Sequence, residues 1–161
     1  MSKETNTQTS QGMKVFVFGS STLDMLTAEM LDALHELIKT YRPEFLIGDC
    51  YGADNLAQSF LADIDYPNVR IFCSGKEPRH AHFANVVSLW KDTAGKRGEA
   101  FQQVKDVAMT EECDIAIGFW DGTSRGTKAN IDRCKKLGKP CKVFLSPLFQ
   151  KSKETNPTNF V

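Results

Sequence analysis

The chain has 161 residues, 41% of them hydrophobic, and its 20 Lys and Arg balance its 20 Asp and Glu. That length and apolar content support one buried core rather than two, and the absence of net charge excludes a global field drawing the protein onto nucleic acid or an anionic membrane. The 5 cysteines form neither a C-x-x-C pair nor zinc-finger spacing, and read as reduced thiols rather than a disulfide framework.

In chain order, residues 1–12 (MSKETNTQTSQG) are polar and read as a tail without the apolar segment of a secretory signal. Residues 14–18 (KVFVF) read as a strand, after which Leu23, Leu26, Met30, Leu34, Leu37 and Ile38 recur at the spacing of one helix face. A short strand is expected at 45–47, then a helix with Leu56, Ala57, Phe60, Leu61 and Ile64 on one stripe, then a strand at 69–73 (VRIFC). The connection 74–98 is too long and irregular for an ordinary strand-to-helix link, and a helix is expected within it around 83–90. Phe101, Val104, Val107 and Ala108 mark the next helix, followed by a strand at 114–119, a helix at 128–137 stopped by Gly138-Lys139-Pro140, and a last strand at 141–145. Residues 147–161 read as a second polar tail.

Alternating strands and helices with near-continuous apolar strands predict an α/β fold: one Rossmann-like, doubly wound domain over 13–146, with about five mainly parallel strands and helices on both faces. No stretch approaches the ~20 apolar residues of a membrane span. A cytoplasmic protein without a membrane partner is the expectation, with nucleic acid an unlikely ligand.

In such sheets ligands bind beyond the carboxyl ends of the strands, where strand order reverses. Three loops at those ends carry small residues: Gly19-Ser20-Ser21-Thr22, then Gly48-Asp49-Cys50-Tyr51-Gly52-Ala53-Asp54, then Asp121-Gly122-Thr123-Ser124-Arg125-Gly126-Thr127. Small side chains let a phosphate or ribose approach the backbone, and the first turn of the next helix offers unpaired N–H groups to an anion. The same residue types also serve as ordinary turns and helix caps. Asp54 is either a first-turn carboxylate favoured by the helix dipole or an acceptor for a ribose hydroxyl. Asp121 is either a turn residue or an acceptor at the ligand mouth, and Trp120 either core and rim or a platform for a base. Neither G-x-G-x-x-G nor G-x-x-x-x-G-K-[ST] is present, which argues against a standard dinucleotide enzyme and a P-loop NTPase. Arg79-His80-Ala81-His82 lacks companions for a metal site, so no metal or cofactor is expected. Lys76, Arg79, Lys91, Lys96 and Arg97 make the long connection the most basic segment, as a solvated face or as a cover that neutralises ligand phosphate.

These loops resemble a known family. GDCYGADNLA (48–57) resembles the G-G-A-R-G-A-D-R-L-A run of the YspA-like, YpsA-related branch of the SLOG superfamily, FWDGTSRGT (119–127) resembles its F-W-D-G-x-S-R-G-T, and AGKR (94–97) its A-G-x-x-R. The resemblance spans roughly residues 14–145, with the motifs in the family's order. It implies a Rossmann-like fold that binds a nucleotide or nucleotide-derived molecule, such as a nucleoside monophosphate, NAD or ADP-ribose, as sensor or carrier. It further implies a homodimer, and a pocket lined by Gly19, Ser20, Gly52 to Asp54, Arg97 and Gly122 to Thr127. The related LOG phosphoribohydrolases cleave an N-glycosidic bond with the Glu of G-G-x-G-T-x-x-E. Here Gly126-Thr127-Lys128-Ala129 leads to Asn130, an amide that neither accepts a proton nor stabilises a cationic sugar. Binding is therefore the first expectation, and hydrolysis in the same pocket through Asp54, Glu99 or Asp121 the alternative.

Overall fold

The computed structural model describes residues 12–146. Six strands form one sheet: β1 (Lys14–Gly19), β2 (Glu44–Gly48), β3 (Val69–Cys73), β4 (Val86–Ser88), β5 (Ile115–Trp120) and β6 (Cys141–Leu145). Their order is β4-β3-β2-β1-β5-β6 and every pairing is parallel, with Val15 opposite both Phe45 and Ile115. Strand order reverses between β1 and β5, so a crevice is expected above the carboxyl ends of these two strands.

Four helices cover the sheet: α1 (Ala28–Tyr41), α2 (Ala53–Asp63), α3 (Gly98–Glu112) and α4 (Arg125–Lys136). The two-residue period of a strand sends alternate side chains to opposite faces. Val15, Val17, Phe45 and Ile47 pack with Met30, Leu34, Ala57 and Leu61 of α1 and α2 on one face. Phe16, Phe18, Leu46 and Phe72 pack with Met109, Ile131 and Cys134 of α3 and α4 on the other. The fold is thus doubly wound, with one more strand than the sequence predicts.

The extra strand lies where a helix was expected. Residues 83–90 hold β4, with Val86 opposite Ile71, and a single 3-10 turn follows at Trp90–Asp92. Three residues are too few to display a period of two, which is why the pattern does not announce this strand. The first helix also begins later than its stripe predicts. Thr27 caps it by accepting a 3.1 Å hydrogen bond from the Met30 amide, and Leu23 and Leu26 reach the core from the preceding loop.

All five cysteines are unpaired thiols, and no described helix is long and apolar enough to cross a membrane. The tails read from composition, 1–12 and 147–161, lie outside the described residues but for residue 12.

Candidate functional site

Ser20 ties the three small-residue loops together. Its amide donates to the Phe119 carbonyl at 2.9 Å and its carbonyl accepts from the Ala53 amide at 3.1 Å. Its buried hydroxyl accepts from the Asp121 amide at 2.9 Å and lies 3.2 Å from the Thr127 hydroxyl. One residue after β1 therefore touches the start of α2 and the loop into α4. The loops converge at the rim where strand order reverses, and beneath them opens a cleft of about 200 Å³.

Of the residues singled out in the sequence, Gly19, Ser21, Asp54, Ser124, Gly126 and Thr127 line this cleft. Asp49 does not present its carboxylate there. It receives the Arg79 amide at 2.8 Å, Arg79 Nε at 3.2 Å and Arg79 Nη2 at 2.8 Å. Burial pushes the Asp49 carboxyl up, but these bonds and the guanidinium charge outweigh it and hold the carboxyl below its ordinary value. The same pair fastens the basic connection to the loop after β2. Gln58 adds to the fastening by donating to the His80 carbonyl at 3.2 Å and accepting from the His82 amide at 2.8 Å.

Asp121 is likewise occupied. One carboxylate oxygen accepts the Thr123 and Ser124 amides at 2.9 and 2.7 Å, and the other accepts the Thr22 hydroxyl at 2.6 Å. Desolvation alone raises this carboxyl, yet the Thr22 hydroxyl and the two amides bring it down to about 2. It is the turn residue of the two alternatives. A carboxyl lowered on folding stabilises the protein above its unfolded pKa of about 3.9, and that contribution disappears as pH falls through about 2. Asp121→Ala is expected to cost about 1–2 kcal/mol at pH 7, the worth of amide bonds to a charged acceptor that is partly open to solvent. Urea unfolding at pH 7 and at pH 3 checks this, with the gap between variant and wild type narrowing in acid.

Trp120 packs against the second core cluster and donates its indole N–H to the Ser124 carbonyl at 3.1 Å, so it braces the turn from below. Ser124 caps α4, its hydroxyl accepting from the Thr127 amide. A Cβ on Gly126 would meet nothing within 4 Å, so the first turn of α4 is approachable from outside. Arg125, whose side chain is 83% exposed, pairs with Glu99 at 3.1 Å outside the cleft lining. Arg97 is exposed at the start of α3 and is not among the lining residues. Gly48 and Gly52 owe their smallness to packing within the chain, since a Cβ on either would lie 2.6 Å or less from Asp54 Oδ2 or from the Ser20 carbonyl oxygen, respectively.

Nine further residues line the cleft: the apolar Phe16, Phe18 and Met109, then Cys50 from the loop after β2, Arg79 from the basic connection, Asn130 at the position of the related Glu, and Gln102, Lys105 and Asp106, which the sequence does not single out. Lys105 is 4% exposed, and its ammonium donates to Asp106 Oδ1 at 3.1 Å and to the Gln102 carbonyl at 3.2 Å. Asp54 is 6% exposed, with Oδ2 accepting the Cys50 amide at 3.1 Å. Burial raises its carboxyl to about 7 in spite of the opposing Lys105 charge, and Asp106 and Asp49 add to the rise. Asn130 Oδ1 accepts from Arg133 Nη1 at 2.6 Å, so this position shows the cleft an amide and no acid.

No family model, curated protein or solved structure matches this chain. The chemistry of the cleft must be read from its own side chains. Its lining joins a helix N-terminus open to an anion with a buried carboxyl that titrates near neutrality and a buried ammonium. Among the described residues, no group of three or more His, Cys, Asp and Glu could hold a metal ion.

Proposed function

We propose that the protein binds a nucleotide or nucleotide-derived ligand at this rim and acts as a sensor or carrier. The observation that carries the reading is the convergence of the three loops on one cleft at the strand-order reversal, with Asp54 and the first turn of α4 both on its lining. In this reading the amides at the start of α4 meet the phosphate and Asp54 accepts from a ribose hydroxyl. At about 200 Å³ the cleft is smaller than the roughly 300 Å³ at which drug-sized pockets begin, so it takes one end of the ligand and leaves the remainder over the open rim. The resemblance to the nucleotide-binding SLOG superfamily, carried by the motifs at 48–57, 94–97 and 119–127, points the same way.

One observation favours a second reading, hydrolysis of an N-glycosidic bond. A carboxyl titrating at about 7 suits proton transfer at neutral pH, and Asp54 is the one candidate acid of the three on the cleft lining. Asp121 is committed to its turn and Glu99 to Arg125 outside.

AMP, ADP-ribose and NAD, each added in excess to the pure protein, separate these readings. A ligand at one hundred times its Kd adds about 2.7 kcal/mol to the apparent stability. Binding is supported by a raised melting temperature without free base in the supernatant. Release of base that vanishes in Asp54→Asn assigns the protein to the hydrolases. Unchanged melting with every nucleotide removes the rim as a nucleotide site.

A further inference from the structure

Two helices on opposite faces of the sheet send charged side chains to the same point. Asp54 stands in the first turn of α2 and Lys105 in the middle of α3, and both line the cleft at Gly48, the carboxyl end of β2, without an ion pair between them. Gly48 lies beneath both. A Cβ built there would be 2.6 Å from Asp54 Oδ2 and 3.3 Å from Lys105 Cε, so the bare backbone is what admits the pair. Lys105 could not be moved to solvent without abandoning Asp106 and the Gln102 carbonyl.

We propose that Lys105 is the positioning residue of the cleft, its buried ammonium beside Gly48 keeping Asp54 a charged acceptor for the ribose hydroxyls of the ligand without bonding it directly. This rests on the nucleotide-binding reading above and adds to it a residue that neither the loops nor the resemblance identifies. The carboxylate function is what the cleft needs: one Asp54 oxygen accepts the Cys50 amide, and the other has no donor among the described residues. A ribose diol supplies two O–H donors and is held more strongly by such an acceptor when it is ionised.

The groups that face Asp54 decide whether it is ionised. From α3 come Lys105 and Asp106, from the loop after β2 come Asp49 and the Cys50 thiol, and from the connection after β3 comes Arg79. Burial, Asp106 and Asp49 favour the neutral acid; Lys105 and the Cys50 amide oppose them. Asp49 already has Arg79 as its own partner, so Lys105 is the cation whose loss shifts Asp54 most. Burial would lower the Lys105 ammonium, but Asp106 and Asp54 outweigh it and keep the ammonium charged.

The test follows the Asp54 carboxyl carbon by NMR from pH 5 to 9 in wild type, Lys105→Met and Lys105→Arg, with AMP calorimetry at pH 7 and pH 9. In wild type the carboxyl is expected to titrate at about 7. In Lys105→Met the inflection should rise by about one pH unit or more, the scale of a nearby charge. AMP affinity of that variant should fall about fivefold or more at pH 7 and recover at pH 9, where Asp54 is ionised again, whereas Lys105→Arg should stay within about half a unit of wild type. An Asp54 inflection unmoved in Lys105→Met, or AMP binding there equal to wild type at pH 7, overturns the proposal. Should Lys105→Met not fold, the wild-type Lys105 Cε resonance decides: an inflection at the Asp54 midpoint supports the coupling and its absence overturns it. Failure of wild type to bind AMP removes the ribose assignment with the site reading, and the carboxyl titration still tells whether Lys105 governs Asp54.

Discussion

Gly52→Ala is expected to lower the stability by about 3 kcal/mol or more and to open the rim, because two separate penalties fall on one methyl group. Gly52 sits at φ 73° and ψ −126°, a backbone region that only glycine occupies without strain. Its added Cβ would lie 2.5 Å from the Ser20 carbonyl oxygen and 2.6 Å from the Ser21 backbone, and neither is a flexible side-chain end able to swing aside. Relief requires the loop before α2 to retreat from the loop after β1, which breaks the 3.1 Å bond from the Ala53 amide to the Ser20 carbonyl. A domain of this size loses roughly 3–4 °C per kcal/mol, so the melting temperature should drop by about 10 °C. Nucleotide-dependent stabilisation should disappear with it. A variant melting within two or three degrees of wild type, with nucleotide binding intact, would show that these loops do not depend on close backbone contact.

Asp54→Asn is expected to act in the opposite direction on stability while abolishing the site. The Asp54 carboxyl titrates at about 7 in the folded protein and near 3.9 in an unfolded chain. Between those values the folded state holds a proton that the unfolded state has released, so the wild type loses stability as pH rises from about 4 to about 7. Asparagine resembles the neutral acid and carries no such penalty. Three pKa units correspond to about 4 kcal/mol, and the loss of a charged partner for Lys105 offsets part of it, leaving a gain of roughly 1–3 kcal/mol at pH 8. The gain should shrink toward zero as pH falls to about 4 and below, where the unfolded carboxyl takes up its proton as well. Urea midpoints at pH 4.5, 6 and 8 measure it. A variant less stable than wild type at pH 8 contradicts the burial cost assigned to this carboxyl. Nucleotide affinity should fall in the same variant, as expected where function retains a group that stability disfavours.

Lys105 explains why part of this site escapes a reading of the sequence. Phe101, Val104, Val107 and Ala108 form the apolar stripe that predicts α3, and a helix does form there. Yet those residues are only half-buried, and the residues that α3 buries are Lys105, Met109 and Thr110. A lysine between apolar positions reads as a solvent-facing residue, since its burial becomes favourable only beside Asp106 and Asp54. Gln102 and Asp106, on the same face, are hidden for the same reason. Asp49 and Asp121 present the converse case: both stand in ligand-like loops, and Arg79 and the turn amides occupy them. The partner of Asp49 lies 30 residues away, whereas Asp121 has two turn amides two and three residues on besides Thr22, 99 residues back, so only those amides could be anticipated from local turn chemistry.

What the sequence determined by itself was the alternation of strands and helices, the parallel sheet covered on both faces, and the small-residue loops, because each follows from side-chain periodicity and from turn chemistry within a few positions. The tertiary structure decided which of those loops are consumed by internal bonds, where β4 pairs, and how Asp54 and Lys105 come to share a cleft from opposite faces of the sheet. The physical reason is that ionisation and hydrogen-bond satisfaction depend on neighbours within a few ångströms, and for these residues the neighbours arrive from distant parts of the chain.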